Sequence, residues 1–296
     1  MKAVFVGHDE IELAGDYQAP AELERQPELL AYAVHERPDA GQRALELDRG
    51  AGVWTAAGAL LYYDPRASAL AWAADGSLWV AIASFEPSEP GRAGVRHRLE
   101  QRDPDSFALA RVIPFELPSG GPEWLELSPS GGLAVVTWLD QGEWGYVGID
   151  LRAGVQAGLA ARMRPGTRAA PPRILADGSA ILACASVGAA WWNLRDHDDP
   201  SERPSEGGER RIGWITTHEL ASGRVRESEL VVDLPAGWIP DDPYDSRWYR
   251  IVGPELDDLA SVAVWLPDGS RERFSLPLTD RLTLARPLAR VRKPAG

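Results

Sequence analysis

The chain has 296 residues, 44% of them hydrophobic, and a formal charge of −13. That apolar content excludes an intrinsically disordered chain and suffices for one large all-β or α/β domain or two ordinary ones. The acidic balance argues against a nucleic-acid groove or an anionic membrane surface, both of which need clustered Lys and Arg.

Cys184 is the only cysteine, so one chain can build neither a disulfide framework nor a thiolate zinc site. The 29 glycines and 24 prolines are dispersed as punctuation, which predicts many short elements joined by many turns. Lysine occurs only at Lys2 and Lys293, a usage expected of a GC-rich bacterial genome. The basic cluster Arg286, Arg290, Arg292 and Lys293 reads as a solvated end. The apolar run of MKAVFVGHDE is short for a signal peptide, and no stretch nears the ~18 apolar residues of a membrane span, so a cytoplasmic protein is expected.

In chain order, residues 1–63 hold strand-like runs at 3–6, 29–34, 43–47 and 59–63. PAELERQPELLAYAV could alternatively form a short helix interrupted by Pro27. RGAGVWTAAG approaches a dinucleotide fingerprint with Gly50 and Gly52. Thr55 stands at the third glycine position and no helix pattern follows, so the stretch reads as a tight inter-strand turn. His8, in GHDE, lies where a strand exits.

Three segments then repeat one outline: LAWAADGSLWVAIAS from Leu70, LELSPSGGLAVVTW from Leu125, and RILADGSAILACAS from Arg173. Each is an apolar run, a turn at Asp75-Gly76, Ser130-Gly131 or Asp177-Gly178, and a second apolar run, which is a hairpin signal. A second pattern follows two of them. YVGIDLRAGVQAG and ITTHELASGRVRE place an acidic residue, Asp150 or Glu219, four positions before a glycine, Gly154 or Gly223, able to supply a positive φ.

Two hairpins per unit of about 45 to 55 residues is the signature of four-stranded propeller blades. On these turn residues the chain resembles the β-propeller repeat proteins, the group that includes WD-repeat and lactonase-like propellers. The resemblance implies an all-β, single-domain β-propeller of four-stranded antiparallel blades, five or six in number, over about 1–63, 64–118, 119–168, 170–236 and 245–285. Ring closure would lay KAVFVG beside RLTLARPL. Ser246 to Pro277, with a turn at Asp268-Gly269, supplies the last blade. A β-sandwich or other two-sheet all-β fold is the alternative.

No HExxH, GxSxG or Walker signature occurs, and no catalytic residue is assigned. The histidines His8, His35, His97, His197 and His218 form no close pair, and His218 reads as a polar strand residue. Two irregular segments break the repeat, Trp191 to Arg211 and Pro235 to Arg250; long loops on a rigid scaffold carry binding sites. Trp191, Trp192, Trp238, Tyr244 and Trp248 are the candidate binding residues, against packing roles for the tryptophans. Asp196, His197, Asp198, Asp199, Asp241 and Asp242 could hold a divalent cation such as Ca or Mg, although DHDDP lacks the DxDxDG spacing of a calcium loop.

Three functions are weighed, with no cofactor required by the first. One is a non-catalytic binding module of a bacterial cytoplasm, offering a propeller face to a protein partner or small ligand. Another is a metal-assisted hydrolase or lyase at the central channel, as the lactonase-like resemblance implies. The third is a carbohydrate-binding propeller. Nucleic acid and membrane are not expected partners.

Overall fold

A computed structural model describes residues 1–6, 10–87, 93–140, 143–162, 167–175, 177–187, 208–234, 253–258, 261–265 and 271–284. Their regular secondary structure is β-strand apart from two short 3-10 turns, and they divide into two compact units. One comprises Met1–Asp140 and Gly145–Ala161, the other Gln141–Trp144 and Arg162–Gly296.

The first sheet holds β1 (Lys2–Val6), β2 (Glu10–Leu13), β3 (Glu28–Arg37), β4 (Gln42–Leu47), β5 (Ala51–Thr55) and β6 (Leu60–Asp64). Their order is β2-β1-β3-β4-β5-β6, with β1 parallel to β3. The stretch before Pro27 makes only a 3-10 turn, Ala21–Leu23, and the chain then enters β3. Ala51–Thr55, which the sequence places in a turn, is a strand. The second sheet is the antiparallel series β7 (Ala67–Trp72), β8 (Leu78–Pro87), β9 (Ala93–Arg102) and β10 (Leu109–Phe115). The third is β11 (Gly121–Leu127), β12 (Leu133–Asp140), β13 (Glu143–Asp150) and β14 (Val155–Arg162).

In the second unit, β15 (Thr167–Ile174), β16 (Ala180–Val187), β17 (Gly208–Glu219) and β18 (Val225–Leu234) are antiparallel neighbours. β19 (Gly253–Asp258), β20 (Ser261–Trp265) and β21 (Arg271–Ser275) form a three-stranded sheet, and β22 (Arg281–Leu284) returns to pair in parallel with β18. The expected pairing of KAVFVG with RLTLARPL does not occur. A strand has two edges, and both edges of β1 are occupied, by β2 and β3.

The hairpin turns follow the sequence chemistry. Gly76, Gly131 and Gly178 have φ of 83°, 66° and 70°, and each N–H donates to the carbonyl three residues back, on Ala73, Ser128 and Leu175. Asp75 Oδ1 accepts the Ser77 N–H at 2.9 Å, and Asp177 Oδ1 accepts that of Ser179 at 2.9 Å. In the longer turns Gly154 (φ 73°) and Gly223 (φ 67°) donate to the carbonyls of Asp150 and Glu219. The β9–β10 turn closes identically, with Phe107 donating to Asp103, but Phe107 takes the left-handed position at φ 55°. It is the only non-glycine with positive φ among the described residues.

Strand periodicity then builds the core. On β7 and β8, Leu70, Leu78, Val80 and Ile82 pack against Ala44 and Val53 of the first sheet, while Ala69, Trp79 and Ala81 pack against Leu125, Val136 and Val147 of the third. The second sheet is thus apolar on both faces, as a sheet buried between two others must be. In the second unit Leu182, Cys184, Ile215 and Leu230 pack on Val262 and Val264. Trp54, Trp138 and Trp144 are fully buried, so these tryptophans are packing residues.

Two glycines separate conformational from steric cost. At Gly131 an added Cβ meets nothing within 4 Å, so Gly131→Ala carries only the left-handed penalty, about 1 to 2 kcal/mol. At Gly145 a Cβ would lie 2.3 Å from the Ala161 carbonyl oxygen and 2.9 Å from Trp138 Cζ2. Gly145→Ala is therefore expected to cost more than Gly131→Ala in urea unfolding. The reverse order would contradict this packing.

The turn aspartates couple stability to acid. Hydrogen bonding by the Ser77 hydroxyl and N–H holds Asp75 below its ordinary value of 3.8, and the Ser179 hydroxyl and N–H do the same for Asp177. For Asp103 the Ser106 N–H leads, followed by its hydroxyl. A depressed folded pKa gives stability that is present above the unfolded value and lost as pH falls through the folded one. The urea midpoint should hold from pH 7 to about 5 and fall below about 4. Asp75→Asn should flatten that acid limb, and an unchanged limb would refute the assignment.

Candidate functional site

The first unit carries a half-open cavity of about 750 Å³. The β4–β5 turn, residues 47–50, forms one wall, and the segment entering β7, Pro65–Ser68, forms another. Pro122–Trp124 of β11 line a third side, with Tyr32, Tyr63 and Glu46 completing the surface. The turn needs glycine at its end: Gly50 has φ 89°, and a Cβ there would sit 2.5 Å from the Asp64 carbonyl oxygen. Gly52 lies within β5, where a Cβ would meet the Tyr62 carbonyl oxygen at 2.6 Å. Gly50 thus serves the turn that the sequence reading expects, while Gly52 lies within strand β5.

Glu46 is 6% exposed. β7 is the edge of its sheet, which leaves the Leu70 N–H without a ladder partner, and Glu46 Oε1 accepts it at 2.8 Å. His35 Nε2 lies 3.3 Å from the same oxygen, at ion-pair distance but not aligned for a hydrogen bond. Across the cavity, desolvation by the walls and then the charge of Glu46 raise the Glu123 carboxyl above its ordinary value, although its side chain remains exposed. Arg66 reaches the rim already engaged: Nε and Nη2 grip the two Asp64 oxygens at 3.0 and 2.8 Å. Burial pushes the Asp64 carboxyl up, but the Arg66 side-chain and backbone hydrogen bonds outweigh it and hold it low.

Strand β9 carries a second ionic cluster, built around a buried carboxylate. Glu100, 2% exposed, accepts from Arg98 Nε at 2.7 Å and from Arg102 Nη2. Arg102 lies over the Tyr62 ring at 4.9 Å and donates to the Phe107 carbonyl at 3.1 Å. Phe107 stacks on Tyr62 at 5.7 Å, so its unfavourable φ is held by ring and guanidinium contacts. The Tyr62 hydroxyl is buried without a hydrogen-bond partner, and burial pushes it up to about 12.

The residues singled out by sequence, Trp191, Trp192, Asp196, His197, Asp198, Asp199, Trp238, Asp241, Asp242, Tyr244 and Trp248, lie outside the described residues, as do His8 and the Asp268-Gly269 turn. Among the described residues no group of three His, Cys, Asp or Glu side chains is arranged to hold a metal ion. His218 is buried in β17, and desolvation lowers its pKa, favouring the neutral ring. His97 is lowered by the same cause and stacks on Phe115 at 5.7 Å. Cys184 is fully buried, with its thiol pushed up by desolvation. Sequence reasoning missed Glu46 and Glu123. Glu46 stood inside the run read as strand 43–47, and Glu123 lies two residues before Leu125, where the second repeat begins.

No protein-family model matches the chain, and no curated protein matches its sequence. Among solved structures it is similar to Kuenenia stuttgartiensis hydrazine synthase, at 13% identity and a TM-score of 0.53, over 89% of this chain and 73% of that one. It also matches Kluyveromyces lactis Hsv2p, at 9% identity and a TM-score of 0.48, over 92% and 71% of the two chains. The likeness to the first is one of fold, and that fold is of the β-propeller type. No helix among the described residues is long and apolar enough to cross a membrane.

The ionic cluster yields a direct expectation. Glu100→Ala would leave two partly buried guanidiniums without their shared anion, and breaking a buried pair costs up to about 3 to 5 kcal/mol. Urea unfolding of Glu100→Ala should show a loss of that order, and a loss well below 1 kcal/mol would contradict the cluster's burial.

Proposed function

We propose that the chain is a binding module of a bacterial cytoplasm that takes a small ligand in the cavity of its first unit. The observation that carries this reading is the cavity itself, whose ~750 Å³ falls in the roughly 300–1,000 Å³ range of small-molecule sites. Its walls combine the aromatic side chains Tyr32, Tyr63 and Trp124 with charged ones, Glu22, Glu46, Asp48, Arg49, Arg66 and Glu123, so apolar area and polar groups for orientation meet in one place. Its size favours a small ligand over a partner protein, whose contact surface is broad and shallow.

Ligand binding to the native state raises its stability, by about 2.7 kcal/mol at a hundredfold excess over Kd. A thermal-shift screen of the full chain against a library of cationic, neutral and anionic metabolites should yield at least one saturable increase in Tm. Ser68→Phe, which places a ring at the cavity wall, should abolish it. A library with no saturable shift, or a shift unchanged in Ser68→Phe, would overturn the reading.

A further inference from the structure

We propose that the first unit holds a second ligand site, between its second and third sheets, for a small neutral aromatic compound carrying one O–H or N–H donor, with the His97 ring as acceptor. The proposal is independent of the first cavity.

The first ground is a buried acceptor that the fold leaves unused. Val95, His97 and Leu99 share one face of β9, and this face meets the third sheet: Leu99, with Ile113 and Phe115 of β10, packs on Leu125 and Val136. His97 is the polar member of that row. It is 8% exposed, and its ring stacks on Phe115 with centroids 5.7 Å and planes 24° apart. Desolvation outweighs the pull of the Gly120 carbonyl and favours the neutral ring, which has one N–H and one lone pair. A carbonyl can serve only the N–H. Nε2 is buried without a hydrogen-bond partner, and no donor among the described residues reaches the ring. A buried acceptor left in this state is costly, and a ligand donor would satisfy it.

The second ground is the space beside it. His97 and Phe115 line a half-open cavity of about 650 Å³, within the roughly 300–1,000 Å³ of small-molecule sites. Val95, Pro114 and Leu117 add apolar surface, and Val95 is 40% exposed. Gln156 of β14 fixes another side: its Oε1 accepts the Glu116 N–H at 2.8 Å, and its Nε2 donates to the Glu116 carbonyl at 3.2 Å. Its amide is thereby used up within the fold.

Charge sets the class of ligand. The lining carries one cation, Arg96, and one anion, Glu116, both exposed, while its buried members, His97 and Phe115, carry neither. An ion entering against them would leave water with no fixed counter-charge to meet it. The stacked His97–Phe115 pair favours a ring, since aromatic groups pack in offset or edge contacts. A phenol or indole brings a flat apolar body and the one donor that His97 lacks.

The test is a ¹H–¹⁵N NMR titration of the full chain, labelled at histidine, with phenol and indole. Each is compared with its donor-free methyl derivative, anisole or 1-methylindole, and benzoate and benzylammonium serve as charged comparisons. Phenol or indole should shift the acceptor nitrogen of His97 and bind about tenfold or more tighter than its methyl derivative. His97→Phe keeps a ring on Phe115 and should erase that preference. Val95→Trp, at an exposed position, should fill the cavity and abolish binding at unchanged Tm, whereas Ser68→Phe, in the other cavity, should leave binding intact. Equal binding of the methyl derivatives, binding that survives Val95→Trp or is lost in Ser68→Phe, binding of the charged compounds alone, or silence of all six would overturn the inference. None of these outcomes decides the first cavity, which its own thermal-shift screen tests.

Discussion

The first unit is organised around one hydrogen bond, from the Leu70 N–H to Glu46 Oε1. β7 is an edge strand of its sheet, and an edge leaves a row of N–H and C=O groups to be satisfied elsewhere. Here β4 of the neighbouring sheet supplies a side chain in place of another strand. The solution buries most of a carboxylate, leaving Glu46 6% exposed. The fold thereby places a carboxylate beside the cavity for a reason that is first of all structural.

The second constraint is chain reversal. A sheet of short antiparallel strands must turn within three to five residues, and an L-amino acid resists the positive φ that such turns demand. Glycine meets it in five of the repeated turns, and a carboxylate or hydroxyl closes the free N–H groups at the tip. WLELSPSGGLAVVTW belongs to this set: Ser128 Oγ accepts the N–H groups of Gly132 and Leu133, so its glycines serve the turn.

What the sequence made legible is what local chemistry dictates. The Asp-Gly and Ser-Gly turns and the Asp150 and Glu219 turns declare themselves because their residues are chosen for backbone geometry. The matching turn at Asp103–Phe107 did not, because Phe107 holds its left-handed backbone partly through the ring of Tyr62, which is remote in sequence, beside a local hydrogen bond from Arg102. β5 was hidden by Gly50 and Gly52, which read as a turn although only Gly50 occupies one. The pairing of β1 with β3, and of β22 with β18, is decided by which edges remain free, a property of the assembled sheets. The site was the least legible part. Glu46 in ALEL resembles any outward polar strand residue, and its burial arises only when the next sheet covers it.

The account therefore stands on the Leu70 amide, and amide hydrogen exchange at that position tests it most directly. With Glu46 as its partner, the Leu70 N–H should exchange as slowly as the β7–β8 ladder amides in the wild type, and orders of magnitude faster in Glu46→Leu. A Leu70 amide that exchanges rapidly in the wild type, or equally slowly in Glu46→Leu, would contradict the claim that this carboxylate closes the sheet edge.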